Sequence, residues 1–219
     1  MGNGMDKIIP GLFLGNFRDA KDVEKLAENN ITHVVSIHDN AMPLLDHLKY
    51  KCVQAADSPD QELLPFFEQC IDFIHECRVN NGCCLVHCIA GVSRSTTIVA
   101  AYLMTITTLN WQDTLRAIRV NRAVANPNYG FKRQLQDFFN KHVQDVKLSL
   151  KSRYPDLDFN GADDAYLKSL LVKVDQSTEN MSDEDDVANV VNMYKERNKV
   201  LRERTNNQQS TEENSSNDS

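Results

Sequence analysis

Nowhere in these 219 residues does an apolar run approach the roughly 20 needed to cross a bilayer; the nearest, 98–104, falls far short. The start of the chain lacks the apolar stretch of a secretory signal, so a cytosolic or nuclear protein with reduced thiols is expected. Its six cysteines then read as six thiols. Basic charge is not in excess: residues 1–150 carry 15 Lys and Arg against 16 Asp and Glu, and 151–219 carry 9 against 15. Without a polybasic field nothing draws a phosphate backbone, which argues against nucleic acid as a partner. Well-spaced Cys-x2-Cys or His pairs are also missing. Cys83, Cys84, His87 and Cys88 fall on one strand pattern whose side chains alternate in direction, so no metal site is expected. Residues 205–219 hold no hydrophobic side chain and cannot repay the entropy of ordering, so disorder is expected there. No internal repeat of useful period occurs.

What the chain does contain is an alternation of short apolar runs and amphipathic stretches. Residues 8–15 read as two short strands around Pro10-Gly11. Residues 19–29 have helical spacing and 31–37 form a buried-strand pattern. Residues 50–56 make another strand, ending in the Asp57-Ser58-Pro59-Asp60 loop. Leu63, Phe67, Cys70, Ile71, Ile74 and Cys77 recur at helical spacing, with Pro65 tolerable in a first turn. A compact strand, 83–87, leads through Gly91 to 96–107, which is apolar on all sides and predicts a central helix. Helices over 111–120 and 131–150 complete an α/β fold with a central, mostly parallel sheet flanked by helices. The expected organisation is a catalytic domain over 1–150, a polar, weakly helical extension over 151–204 (with periodicity at 165–174 and 187–201), and a disordered tail over 205–219.

The chemistry concentrates in His87-Cys88-Ile89-Ala90-Gly91-Val92-Ser93-Arg94-Ser95. A loop between strand and helix can converge successive backbone N–H groups on one point, and the helix N-terminus adds its positive end. Such a point favours a dianion. Ile89, Ala90, Gly91, Val92 and Ser93 would form this cradle, and Arg94 would close it with two parallel hydrogen bonds to phosphate oxygens. The same field lowers the Cys88 pKa and produces a thiolate nucleophile. Ser95 is placed to donate to that thiolate, and His87 to hold the loop through hydrogen bonds behind it. A departing alkoxide or phenoxide needs a proton. Asp57, on the loop after the preceding core strand, is the candidate donor because loops at the carboxyl ends of parallel strands meet at one edge. Asp60 is its substitute.

This segment resembles the His-Cys-x5-Arg-Ser signature of the cysteine-based protein tyrosine phosphatase superfamily. With Ala55-Ala56-Asp57-Ser58-Pro59, Asn126-Pro127-Asn128 and a span near 150 residues, the chain resembles the small, atypical dual-specificity phosphatases. The resemblance implies Cys88 as the nucleophile of a phosphocysteine intermediate, Arg94 as phosphate clamp, Asp57 as general acid and then base, Ser95 as thiolate partner, and Asn128 as a residue orienting the phosphate loop. It implies phosphotyrosine and phosphoserine/threonine proteins as substrates, with mitogen-activated kinase pathways among them, no cofactor, and a monomer. None of the positions between Cys88 and Arg94 is basic, which favours phosphoproteins over polyphosphorylated lipids.

The rival from another class is a phosphoprotein-binding module that keeps the cradle without turnover, against which the presence of both Cys88 and Asp57 argues; a thiol redox enzyme using Cys84 and Cys88 would lack the Cys-x-x-Cys spacing and leave Arg94 unexplained. A reversible disulfide between Cys84 and an oxidised Cys88 is a lesser alternative to plain thiols. Gly2 opens a Met-Gly-x-x-x pattern with Asp6 where a hydroxyl residue is preferred; together with the resemblance it points to N-myristoylation. One acyl chain gives only marginal membrane binding, so exchange between cytoplasm and membrane surface is expected.

Overall fold

The Pro10-Gly11 turn, with Gly11 at φ +74°, reverses the chain between β1 (Asp6–Ile9) and β2 (Leu12–Gly15), which pair antiparallel. The computed structural model describes residues 4–154 and 161–179, with side chains as far as 173. After β2 the expected helix over 19–29 is divided. A 3-10 turn, Asp19–Lys21, is followed by α1 (Val23–Glu28), because Asp22 turns its carboxylate onto the Lys25 amide at 3.2 Å and caps a new helix. The chain continues through β3 (Ile31–Ile37), β4 (Lys49–Val53), α2 (Leu64–Val79), β5 (Cys83–His87), α3 (Arg94–Ile106), α4 (Trp111–Asn121), α5 (Tyr129–Lys141), α6 (Val143–Arg153) and α7 (Ala162–Glu179).

Among the described residues the strands form one sheet in the order β1-β2-β5-β3-β4, parallel except for β1. β5 lies at its centre. The two faces are covered unequally. Phe13, Ala20, Leu26, Ile31, Val34 and Leu85 make a small core under α1, while Leu12, Leu14, Val35, Ile37, Cys84 and Val86 face a larger one built with α2, α3 and the later helices. Every residue of α3 is buried, which is why its sequence is apolar on all sides.

Three element limits differ from expectation. β4 ends at Val53, three residues early, because the Ala55 carbonyl leaves the sheet and accepts from Arg94 Nη1 at 2.9 Å. α3 starts at Arg94, so Arg94 and Ser95 belong to its first turn. The helix expected over 131–150 breaks at His142 into α5 and α6. Phe138, Val143, Val146 and Leu150 are all buried across the break, so the apolar pattern carries no sign of it.

The packed unit also runs past residue 150, to Val172. Leu167, Leu170 and Leu171 of α7 join the main core, and burying a leucine contributes about 1.5–3 kcal/mol. Arg78 anchors this helix, donating from Nη2 to Asp163 at 2.8 Å, from Nη1 to Tyr102 at 2.8 Å and from Nε to the Pro10 carbonyl at 2.9 Å. The start of the segment expected to be only weakly helical is therefore part of the folded body. Gly2, the helical pattern at 187–201 and the tail over 205–219 lie outside the described residues. No helix among the described residues is long and apolar enough to cross a membrane.

Candidate active site

β5 delivers Cys88 to the carboxyl edge of the sheet, and the chain curls around its sulfur before α3 begins. The thiol is 1% exposed. The Gly91 N–H and the Ser95 hydroxyl each donate to Cys88 Sγ at 3.2 Å, and the amides of Ser95 and Val92 also face the sulfur. Burial pushes the thiol pKa up, but the hydroxyl of Ser95 and the three amides outweigh it and hold the thiol below its ordinary value. A loop built from donors aimed at one point favours a thiolate before substrate arrives and an anion on it afterwards.

The curl requires Gly91, which sits at φ +67°; a Cβ there would collide with the Gly15 carbonyl and the Arg122 guanidinium. Arg122 supports the loop from behind. Buried at the end of α4, it donates from Nε to the Gly91 carbonyl at 2.7 Å and from Nη1 to Asp6 at 2.6 Å and the Gly4 carbonyl at 3.1 Å. Sequence reasoning missed both Arg122 and Asp6. An arginine near the end of an amphipathic helix carries no sign of burial, and two of its partners, Asp6 and Gly4, lie more than a hundred residues upstream.

Arg94 is buried, with Nη1 committed to the Ala55 carbonyl and to Asp39 Oδ2, each at 2.9 Å. Its buried Nε has no hydrogen-bond partner and lies 3.7 Å from Asp57 Oδ2. Anchoring through Nη1 leaves the opposite edge of the guanidinium for two parallel bonds to an oxyanion. Asp39, on the loop after β3, had no assigned role in the sequence reading; its hydrogen bond from Arg94 holds its carboxyl below the usual range.

Asp57 stands across the mouth from the thiol. Its Oδ1 accepts from Ser93 Oγ at 2.7 Å and from Asn128 Nδ2 at 2.9 Å. The Ser93 side chain is thus directed at Asp57, while its hydroxyl also accepts from the Asn128 amide at 3.1 Å. Asn128 also caps α5 by accepting from Phe131 N at 3.0 Å. Its side chain serves the acid and the helix, and reaches the phosphate loop only through the backbone, a narrower role than expected. Asp60, the substitute, instead lines a groove with Pro59, Glu62 and Arg133.

The remaining predicted residues fall around the same point. His87 is fully buried, and its Nδ1 donates to the Cys88 carbonyl at 3.2 Å. Burial pulls its pKa down to about 4, so the ring is neutral near pH 7. Phe17 and His38 pack against it, with ring centroids at 6.1 and 5.8 Å. Ile89 and Ala90 are exposed on the outer wall of the loop, and Val92 is half-buried. Cys84 does not meet Cys88. With Cys84 in β5 and Cys88 just past its end, four residues of near-extended chain separate their Cα atoms by about 13 Å, far beyond disulfide reach. Cys84 instead faces Cys77 in the core. The alternatives of a protective disulfide and of a redox enzyme therefore fail on geometry.

The dual specificity phosphatase catalytic domain matches residues 12–141 of this chain. Dual specificity protein phosphatase 22 of Xenopus tropicalis is 55% identical over 173 residues, covering 79% of this chain and 82% of its own length. The human protein of that name is 52% identical over 165 residues, covering 75% and 90%. Dual specificity protein phosphatase 15 of Mus musculus is 48% identical over 171 residues, covering 78% and 72%. Among solved structures, dual specificity protein phosphatase 15 superposes with a TM-score of 0.68 at 51% identity, over 69% of this chain and 97% of that one. A human tyrosine phosphatase-like serine/threonine/tyrosine-interacting protein shares the fold at 32% identity with a TM-score of 0.60, over 63% and 96%. The thiol cradle, the fold and these likenesses converge: the chain belongs to the dual specificity phosphatase family of the cysteine-based protein tyrosine phosphatase superfamily and is a protein phosphatase.

Proposed function

We propose that this phosphatase works in two steps on a single sulfur. The Cys88 thiolate attacks phosphorus while the bond to the substrate oxygen breaks, and Asp57 gives that oxygen its proton. The new S–P bond is then cleaved by water: Asp57, now a carboxylate, takes a proton from the water as its oxygen bonds phosphorus, and the sulfur leaves as a thiolate stabilised by Ser95. Arg94 and the amides of the 89–94 loop hold the phosphoryl oxygens in both steps. No metal enters this scheme. The observation that carries it is the Cys88 sulfur, surrounded by donors from Gly91 and Ser95, with a free edge of Arg94 and the Asp57 carboxylate facing the same opening.

The substrates we infer are phosphotyrosine and phosphoserine/threonine proteins, including components of mitogen-activated kinase pathways. The absence of basic residues over 89–93 supports phosphoproteins in preference to inositol polyphosphates. Phosphate release from phosphotyrosine and phosphothreonine peptides in EDTA is the test. Turnover of both is expected; tight binding of both without release would replace this reading with a phosphoprotein-binding module.

We further propose a cytoplasmic and nuclear monomer that exchanges with the cytoplasmic face of membranes through a myristoyl group on Gly2. The opening Met1-Gly2 supports it, and a single acyl chain binds lipid weakly enough for exchange. Intact mass of the protein from eukaryotic cells is expected to show the acyl addition. A free or acetylated terminus would refute it.

A further inference from the structure

Asp57 lies in a stretch without regular structure, between β4 and α2, yet it is held from three points of one helix. Asn128 at the start of α5 takes its carboxylate. Two residues on, the backbone of Gly130 lies against the acid loop so closely that a Cβ would overlap the Pro59 carbonyl and come within 2.6 Å of Pro59 Cα. One further turn along, Gln134 lies on the same face and reaches the far end of the loop. Its Oε1 accepts from the Leu63 and Leu64 amides at 2.6 and 3.0 Å, and its Nε2 donates to the Gln61 carbonyl at 2.8 Å. Gln61 passes the constraint on, since its own Oε1 accepts from the Ala56 amide at 3.0 Å, the residue beside Asp57.

Gln134 fills two needs at once. The residue preceding α2, Leu63, has no side chain to satisfy the first amides of the helix, and Gln134 supplies that cap from a distant helix. The same amide group then ties the cap to the loop. A carboxamide presents an acceptor to two N–H groups and a donor to a carbonyl at the same position, which an ionised carboxylate cannot do. Both ends of the loop, Ala56 and Leu63, are thereby fixed relative to α5, whose first residues hold Asp57.

We propose that Gln134 is a positioning residue for the general acid, placing Asp57 through Gln61 and the α2 cap so that the proton donor is set before substrate binds. The proposal rests on Asp57 acting as general acid. Gln134→Glu keeps an acceptor for the Leu63 and Leu64 amides, with charge that suits a helix N-terminus, but puts a carboxylate oxygen against the Gln61 carbonyl. Gln134→Met removes both links. A general acid contributes least when the leaving group is already a weak base. The readout is therefore kcat/KM, which reports the steps up to thiophosphate formation, for p-nitrophenyl phosphate and for phenyl phosphate, whose phenol is as basic as tyrosine. Melting temperatures confirm that each variant is folded.

Both Gln134 variants are expected to lose at least about 10-fold more on phenyl than on p-nitrophenyl phosphate, with Asp57→Asn showing a larger split of the same sense. If Asp57→Asn splits the substrates while both folded Gln134 variants lose equally on the two, or on neither, Gln134 is only a structural cap and the proposal is overturned. If Asp57→Asn itself shows no split, the general-acid reading fails, and the positioning role fails with it.

Discussion

Cys88→Ser is expected to release phosphate from an aryl phosphate about 10³-fold or more slowly than the wild type in metal-free buffer, while still binding a phosphotyrosine peptide in calorimetry. The donors around Sγ are the reason for both halves of this result. Ser95 Oγ and the amides of Ser95, Val92 and Gly91 stabilise a sulfur anion, and burial only partly opposes them. A serine hydroxyl is far more basic and would need a base to remove its proton. His87 is a poor one: its Nδ1–H is bonded to the Cys88 carbonyl, and burial, which pulls its pKa down to about 4, disfavours the protonated ring it would have to become. Binding persists because Arg94 and the loop amides are untouched and the neutral oxygen repels a dianion less than a thiolate does. The depressed pKa has a companion in stability. Because the folded value lies below the unfolded one, the contribution is complete above the ordinary thiol pKa of about 8.5 and is lost as pH falls through the folded value. Turnover by Cys88→Ser near the wild-type rate would remove Cys88 as the nucleophile.

Arg94→Lys should lower kcat/KM by about 10²–10³-fold in a protein that still melts cooperatively. The charge survives this change and the geometry does not. Arg94 uses one nitrogen, Nη1, to hold the Ala55 carbonyl and Asp39, which leaves its other edge for the substrate. A lysine ammonium is a single point and cannot stay bonded to both partners while offering two parallel donors to phosphate. The loss should appear in kcat as well as in KM, since the equatorial oxygens of the phosphoryl group are held most tightly in the transition state. An Arg94→Lys enzyme keeping a third or more of wild-type kcat/KM would show that positive charge suffices and that the fork is not used.

Cys88, Arg94 and Ser95 were legible in the chain because their arrangement is local. A strand that ends, a glycine able to take a positive φ, and a helix that begins force six successive residues to curl, whatever surrounds them. Asp57 was legible for a topological reason, since consecutive parallel strands bring their following loops to one edge. Asn128 could be named only by likeness, and its partners proved to be the acid, the α5 amide and Ser93 more than the phosphate loop as a whole.

Other features left no trace in the pattern. The apolar spacing of 131–150 runs unbroken through the bend at His142, because both α5 and α6 bury that face. The limit of the folded unit was misplaced because α7 has sparse leucines among polar residues, and only their docking on the main core distinguishes them from a solvated extension. The pairing of Cys84 with Cys88 looked available in one dimension and is excluded by the rise of a strand.

The sequence by itself therefore determined a cysteine thiol in a loop of converging donors, and the α/β alternation that carries it. Tertiary structure decided how that centre is held: Asp39 and the Ala55 carbonyl on Arg94, Arg122 on Gly91, and Gln134 on the Asp57 loop. The division follows the range of the interactions. Backbone conformation and the period of apolar residues are set by neighbours in the chain, whereas a hydrogen bond between residues 31 to 73 positions apart exists only once the packed sheet and helices have brought the two partners together.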